Sequence, residues 1–296
     1  MLEVIRGYLC CNCHSGVGFS QDQINELIEN HGIKGTLYKK VVCKQCENLF
    51  FLYEGIIENL VKQRVWPDFI CDIVIAGSEE VIVGKVTKVE LPRTFLINKV
   101  SLTNGGGFAE VAPFYHGHFE TNWFSIVSSE LPNENPSIPS FKKIGDKHQV
   151  DWVAFGKSGE KYSETWIQLL AQIKEQMLHG QYNIATLTSE MMFESFLDST
   201  LNKLLINKGI SEESAYIIIE SINSIYKKAH SLLKSLNGKG LQDEKPINKE
   251  WIKLMELRNK IAHGENVNVD LERAEWSLRT ALEAIFYIYN NCEIYS

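Results

Sequence analysis

The cysteines carry the clearest chemical signal in the sequence. Of seven cysteines, four form two Cys-x-x-Cys pairs, Cys10 with Cys13 and Cys43 with Cys46. A two-residue gap lets both thiolates of a pair point inward from one tight turn, and four such thiolates suit a tetrahedral zinc ion. Because a closed four-ligand site leaves no position open for a substrate, we expect this zinc to be structural. The pattern therefore predicts a zinc ribbon.

Other arrangements of the cysteines stay open. Cys11 and His14 have the same spacing as the first pair and offer a rival to it. The four thiols could also be ordinary side chains without a ligand, or could hold an iron–sulfur cluster. We interpret Cys71 and Cys292 as plain thiols. Paired cysteines in a chain without a visible secretory leader favour metal binding over disulfides.

A second set of chemically capable residues lies near the end of the chain. A helical rotation of about 100° per residue places Asn259 and His263 above one another, with Arg258 beside them. Histidine titrates near neutrality, so it can exchange a proton with a ribose 2′-hydroxyl or with the leaving oxygen. An arginine fork can hold phosphate oxygens, and an asparagine amide can orient either partner. These residue types suit metal-free cleavage of RNA through a 2′,3′-cyclic phosphate.

The same pattern also has a purely structural interpretation. A histidine in the last helical turn is favourable through the helix dipole, and Gly264 permits the left-handed turn that ends a helix. An arginine near a helix C-terminus is equally common. Spacing alone therefore does not separate a catalytic site from an ordinary helix end.

One family signature resembles this part of the chain, in the segment Glu256-Leu257-Arg258-Asn259-Lys260-Ile261-Ala262-His263-Gly264. It is the R-x-x-x-x-H motif of the HEPN superfamily, in which a polar residue often follows the arginine. The resemblance implies a bundle of four or five helices and, in many members, a metal-independent ribonuclease. Carried over by position, Arg258 and His263 would be the catalytic pair and Asn259 a supporting residue.

The same resemblance implies partners and a role. HEPN domains commonly act as homodimers whose two motifs meet in one cleft, so the implied partners are an RNA substrate and a second copy of the chain. Many members are bacterial toxins or anti-phage effectors, which adds an antitoxin or trigger protein to the expected partners. A zinc ribbon ahead of such a domain is similar to the arrangement in some bacterial HEPN-containing proteins.

Two other functions fit the same features. Some HEPN domains lack nuclease activity, so the helical region could be an interaction module while the ribbon binds protein or nucleic acid. A zinc-ribbon transcription regulator is the second alternative, and it predicts salt-sensitive binding of duplex DNA. The net charge of −7 disfavours broad coating of nucleic acid, although it allows a few cations in a cleft.

The elements that must position these residues predict an α+β protein of three parts. Residues 1–66 contain the ribbon, with a short helix over Gln21–Asn30 and β-rich runs at Thr36–Val42 and Asn48–Tyr53 around the second cysteine turn. Residues 67–157 form a β-rich domain of unknown role, and residues 158–296 an all-α, HEPN-like bundle. Strands are predicted at 70–76, 80–90, 94–102, 108–119 and 150–155, and helices at about 162–178, 181–208, 212–236, 248–263 and 270–292.

The composition is that of an ordinary globular protein. The chain has 296 residues, 44% of them hydrophobic and 23% charged, which suits two or three packed domains. Its apolar runs are far shorter than the roughly 20 residues that span a bilayer. Met1–Arg6 lacks the pattern of a signal peptide. These features predict a cytoplasmic protein without a membrane partner.

Two weaker signals are interpreted structurally. His116 and His118 could face one side of a strand, but the sequence places no third metal ligand near them. A basic stripe late in the third predicted helix is interpreted as a solvated face, with an RNA path as the alternative. This stripe consists of Lys227, Lys228, His230 and Lys234.

Overall fold

The structure is a computed structural model. It describes residues 7–18, 21–62, 73–93, 95–102, 109–112, 122–128, 143–158 and 164–295. The chain divides into two compact units. The first joins residues 1–65 to residues 164–296, and the second consists of residues 66–163. The ribbon and the carboxy-terminal helices therefore belong to one unit.

Two short β-hairpins carry the cysteine pairs. The strands are β1 (Gly7–Leu9), β2 (Gly16–Gly18), β3 (Lys40–Val42) and β4 (Leu49–Phe51), and β1 pairs with β2 and β3 with β4, both antiparallel. The predicted hairpin around the second cysteine turn is confirmed. The first cysteine pair lies in the connection between β1 and β2, so each hairpin presents one pair at its turn.

Two helices complete the amino-terminal part. α1 (Gln21–Leu37) is interrupted at Gly32, whose φ of 66° and ψ of 170° leave the helical region. The predicted helix stops near this glycine, but helical turns resume up to Leu37, so the predicted strand from Thr36 begins only at β3. α2 (Leu52–Lys62) has no counterpart among the predicted elements. It begins directly after β4 and buries Leu52, Ile56, Ile57, Leu60 and Val61.

The second unit is β-rich, as predicted. Its strands are β5 (Ile73–Ile82), β6 (Val86–Glu90), β7 (Phe95–Leu102), β8 (Ala109–Ala112), β9 (Trp123–Ser128) and β10 (Lys147–Ser158). They form two antiparallel sheets in the orders β5-β10-β7 and β6-β9-β8. Both sheets contribute to one core, in which Phe124 packs edge-on against Trp152 with ring centroids 5.2 Å apart.

Two strand predictions in this unit need correction. The strand predicted to end at residue 76 continues to Ile82, and Gly77 lies inside it, directly opposite Trp152. A Cβ atom at this position would lie 2.2 Å from the indole ring, so the glycine makes room for the tryptophan. The predicted run over residues 80–90 is divided instead at Gly84, whose φ is 82°. His116, His118 and Cys71 lie outside the described residues.

The carboxy-terminal region is helical, as predicted. Its helices are α3 (Thr165–Leu178), α4 (Tyr182–Asn207), α5 (Glu212–Glu220), α6 (Ile225–Lys227), α7 (Leu233–Asn237), α8 (Lys245–Ala262) and α9 (Leu271–Asn291). A π-helical turn, Lys228–Leu232, joins α6 to α7, so residues 164–295 contain six longer helical segments. The predicted helix over 212–236 is divided because Ser224 caps a new helix by accepting from the N–H of Lys227.

α4 is the central helix of this region. It contacts α3, α5, α8 and α9. Phe193 of α4 packs against Trp251 of α8 with ring centroids 5.5 Å apart, and Phe196 packs against Trp166 of α3 at 5.7 Å. All four rings are fully buried, and the Phe193–Trp251 pair holds α8 beside α4. This pair thereby sets the position of Arg258, Asn259 and His263.

The amino-terminal part packs directly on the helices of the same unit. α2 lies against α9, where the carboxylate of Glu58 pairs with Arg279. Lys174 of α3 donates to the carbonyl oxygen of Val61 at 2.5 Å and so satisfies the end of α2. Burial lowers the pKa of Lys174 to about 8. The cysteine hairpins are therefore anchored to the helical region through α2.

Candidate functional site

The four predicted zinc ligands lie together. The Sγ atoms of Cys10, Cys13, Cys43 and Cys46 are all within 4.8 Å of one another. The distance is 3.5 Å between Cys10 and Cys46 and 3.6 Å between Cys13 and Cys43. Thiolates about 2.3 Å from a tetrahedral zinc lie about 3.8 Å apart, so the spacing fits one metal ion. This cluster can hold a metal such as structural zinc.

Both cysteine turns use the same backbone geometry. In each turn, the N–H of the residue after the second cysteine donates to the carbonyl oxygen of the first cysteine at 2.9 Å. That residue is His14 in the first turn and Glu47 in the second, with left-handed φ values of 55° and 57°. Two segments distant in sequence thus present their thiols in matching ways, as a shared ligand requires.

The electrostatics of the cluster favour a cation. Burial raises the pKa of the Cys10 thiol, but the backbone N–H groups of Cys13 and Asn12 lower it to about 6. At Cys13 the N–H of Ser15 lowers the pKa, whereas burial and the neighbouring thiols raise it to about 12. Four thiolates this close repel one another unless a positive ion lies between them. The donor set therefore suits a divalent metal better than four free thiols.

The rival first pair is not part of this group. Cys11 is exposed, and it lines a cavity next to the hairpins. His14 turns its Nδ1 towards Glu58, 3.2 Å from Oε1. Glu58 is buried and also pairs with Arg279. The structure therefore brings Cys10 and Cys13, rather than the rival pair, to the thiols of the second turn.

The left-handed residue of the second turn leads to a stability prediction. Glu47 is exposed, and a non-glycine residue with positive φ is strained by its Cβ atom. Glu47→Gly should raise the free energy of unfolding by about 0.5–1 kcal/mol, because the relief of strain outweighs the extra freedom of the unfolded chain. Urea unfolding measures the change. Lys44→Gly, in the same turn without positive φ, should lower stability, and a loss with Glu47→Gly would contradict the argument.

The R-x-x-x-x-H residues occupy the end of α8. Arg258 and Asn259 lie in its last two turns, and His263 is the C-cap residue with φ −86° and ψ 6°. The predicted left-handed turn is present at Gly264, with φ 72°. The N–H of Gly264 donates to the carbonyl oxygen of Ile261, and the N–H of Glu265 donates to the carbonyl oxygen of Lys260, both at 3.0 Å. These two hydrogen bonds form a Schellman motif, which satisfies the last carbonyls of the helix.

A buried carboxylate anchors Arg258. Its Nε lies 3.3 Å from Oε2 of Glu190 on α4, and the Glu190 side chain is only 1% exposed. The ion pair lacks hydrogen-bond alignment, so this oxygen has no hydrogen-bond partner in the described parts of the chain. Nη1 of Arg258 donates to Oδ1 of Asn259 at 3.2 Å. The guanidinium is thus held on one side while 36% of the side chain stays accessible.

The His263 side chain is exposed and has no partner in the described parts of the chain. The side chain of Asn259, one helical turn before it, is exposed as well. Among residues that the structure describes, the imidazole has neither a hydrogen-bond nor an ion-pair partner. An imidazole in this state can accept or donate a proton to a bound molecule.

A second helix, α3, also ends in a histidine followed by a glycine. Comparing α3 with α8 shows which residues of the R-x-x-x-x-H segment a helix end needs and which it does not. α3 ends at His179, with φ −88° and ψ 8°, followed by Gly180 with φ 71°. Five residues before His179 stands Lys174, which is buried and bonded to a backbone carbonyl. Five residues before His263 stands the accessible Arg258. A His-Gly helix end therefore occurs at both α3 and α8, and the accessible arginine distinguishes α8.

The predicted basic stripe is not one exposed face. Lys227 and Lys234 are exposed, but Lys228 and His230 are buried. Lys228 pairs with Asp198 at 2.9 Å, and Nε2 of His230 lies 2.7 Å from Oδ1 of Asn248. The π-helical turn rotates these residues inward, which a helical period of 3.6 residues does not anticipate.

No family model, no curated protein and no solved structure matches the chain. None of the helices in the described residues is long and apolar enough to cross a bilayer.

Proposed function

We propose that the carboxy-terminal helical region is a metal-independent endoribonuclease of HEPN type, with Arg258 and His263 as its catalytic pair. One observation carries the proposal. The end of α8 presents a partly exposed arginine anchored by buried Glu190, together with an exposed histidine that has no partner in the described part of the chain. His179 shows that a helix end alone does not require such an arginine.

The proposed chemistry is transfer of a phosphodiester to the neighbouring ribose hydroxyl. His263 takes the proton of the 2′-hydroxyl as the 2′-oxygen forms a bond to phosphorus. The bond from phosphorus to the 5′-oxygen breaks, and a general acid protonates that oxygen. Arg258 stabilises the negative charge on the phosphoryl oxygens, and Asn259 helps to orient the guanidinium. The products are a 2′,3′-cyclic phosphate and a free 5′-hydroxyl.

A second copy of the chain completes the proposed site. The reaction needs a base and an acid, and among the residues described each chain has one histidine, His263, at the end of α8 that carries Arg258. In a homodimer with the two α8 ends facing one another, the partner's imidazole supplies the acid. The zinc cluster has a structural role in this proposal. The amino-terminal parts restrain the nuclease until a trigger or loss of an antitoxin releases it, as a toxin or anti-phage effector requires.

RNA cleavage in EDTA tests the proposal. The purified native protein should cut single-stranded RNA and leave 2′,3′-cyclic phosphate ends, detected by mass spectrometry. His263→Ala and Arg258→Ala should each lower the cleavage rate by about 10²–10⁴-fold, the range typical of lost proton transfer or charge stabilisation. His179→Ala is the matched control, because it removes an exposed imidazole from an equivalent helix end. It should cleave like the native protein.

Equal cleavage by the native protein and by His263→Ala would refute the assignment. So would cleavage that requires a divalent metal. Chemical crosslinking and sedimentation of the same samples test whether the active species is a dimer.

A non-catalytic interaction module is the second candidate. An apolar strip on α4 favours it, since Ile184 and Met191, seven residues apart on one helical face, are both exposed. Such a strip suits the surface of another subunit. In the experiment above, this function predicts that the native protein and both α8 variants leave RNA intact.

A further inference from the structure

A cavity of about 880 Å³ lies next to the cysteine hairpins, within the first unit. It is bounded by β4 and α2 on one side and by the start of α8 and the outer face of α9 on the other. This volume is ample for a small molecule or for a side chain from a partner. Cys11 lies at its wall, so the cavity is separate from the four-cysteine cluster and from the end of α8.

Aromatic rings form much of the apolar wall of the cavity. Tyr38 and Tyr53 lie with ring centroids 5.0 Å apart, and Phe50 and Tyr287 also line the space. The ring faces of tyrosine and phenylalanine attract cations through their quadrupole. A wall of this composition therefore favours a ligand with a positively charged group.

Both cationic side chains that line the cavity, Arg279 and Lys239, already have partners in the protein. Arg279 pairs with Glu58, which lies outside the lining. Lys239 donates to the amide oxygen of Asn291 at 3.0 Å. An anionic ligand would therefore have to compete for both cations.

Two carboxylates at the cavity form no direct ion pair within the described parts of the chain. Neither Glu244 nor Glu283 forms an ion pair or hydrogen bond through its side chain with any residue that the structure describes. Glu244 is the N-cap residue of α8, but its side chain does not cap that helix. Asp243, in contrast, pairs with Lys234 at 2.7 Å.

The negative field at this cavity also affects its tyrosines. Burial raises the pKa of Tyr53 to about 12, and Glu54, Glu283 and Glu244 contribute to the rise. Burial likewise raises the pKa of Glu283, although Arg279 opposes the change. A cation bound beside these carboxylates would relieve this accumulation of negative charge.

We propose that this cavity binds an organic cation, a ligand that carries a guanidinium or primary ammonium group. The charged group lies between Glu244 and Glu283, and its apolar part lies against Tyr38 and Tyr53. The group can belong to a free small molecule or to an arginine or lysine side chain of a partner protein. The site is independent of the nuclease proposal, since none of its residues belongs to α8 beyond the first turn.

Isothermal titration of the full-length protein tests this site with two matched probes. Butylguanidine carries the proposed cation, and butylurea is its neutral counterpart of similar shape. A capped tripeptide, acetyl-Gly-Arg-Gly-amide, represents the protein source. Butylguanidine, the tripeptide or both should bind, and butylurea should bind at least about tenfold more weakly, because a charge-assisted hydrogen bond is lost.

Variants assign the binding to the two carboxylates. Glu244→Gln and Glu283→Gln should each weaken binding of the charged probe by about tenfold or more. Glu29→Gln, on exposed α1 away from the cavity, should leave it unchanged. Binding of the tripeptide without butylguanidine supports the site and identifies a protein ligand. Absence of binding by both charged probes, equal binding of butylurea, or unchanged affinity in both glutamine variants would overturn the proposal.

Discussion

Cys43→Ser combined with Cys46→Ser is expected to abolish metal binding and to unfold both amino-terminal hairpins. The four strands are only three residues long, too short to persist by themselves. The hydrophobic cluster at the hairpins has Cys10, Cys43 and Phe50 as its buried members, so the ligands are themselves most of its core. Structural zinc supplies on the order of 10 kcal/mol in small metal-dependent folds, far more than the packing of such short strands against α2 can replace.

The measurements are metal content and local protection. The native protein should contain one zinc ion per chain by elemental mass spectrometry, and the double variant none. Hydrogen exchange should become fast in residues 7–18 and 40–51 and stay slow in α4, whose core does not involve the cysteines. Cys11→Ser is the matched control, because Cys11 stands beside a ligand but outside the cluster. Loss of zinc from this control would restore the rival first pair.

The metal site could be predicted because its information is local. The two-residue spacing of Cys43 and Cys46 already forces both thiols to one side of a turn, and the flanking β-rich runs indicate a hairpin. In the same way, Gly264 after His263 was enough to predict where α8 ends.

Features that depend on distant partners could not be predicted. Glu190 stands 68 positions before Arg258 and looks like any polar residue on a helix until α4 and α8 pack together. In the sequence Gly77 resembles a turn residue, because the indole of Trp152, which leaves no room for a side chain at this position, lies on another strand. α2 could not be predicted because its apolar residues follow those of β4 without an intervening turn residue, so the sequence shows no boundary between the strand and the helix.

Glu190→Gln is expected to make the protein more stable at alkaline pH, with a difference from the native protein that shrinks in acid. Burial raises the pKa of Glu190 from 4.5 to about 7, and nearby Glu194 adds to the rise while Arg258 opposes it. The folded protein therefore keeps this proton at pH values where the unfolded chain has released it. Stability falls as the pH rises from about 4.5 to about 7, by about 3 kcal/mol in total.

Glutamine has no proton to release, so it removes this pH dependence. Urea unfolding at pH 5 and pH 8 gives the free energy of unfolding of the native protein and of the variant. The difference between the two free energies at each pH cancels the effect of acid on the zinc ligands. The variant should exceed the native protein by about 3 kcal/mol at pH 8 and by less than about 1 kcal/mol at pH 5. Glu213→Gln, on the exposed first turn of α5, is the control and should track the native protein.

The same experiment bears on the arginine. If the difference between native protein and variant is equal at both pH values, Glu190 ionises like an exposed glutamate and holds Arg258 as a full ion pair. If the predicted difference is found, the carboxyl is only partly ionised near neutrality, and Glu190 then offsets less of the positive potential that Arg258 presents to an outside anion. In the proposed nuclease that anion is a phosphate of the RNA, so the ionisation state of Glu190 sets part of the electrostatic attraction between Arg258 and the substrate.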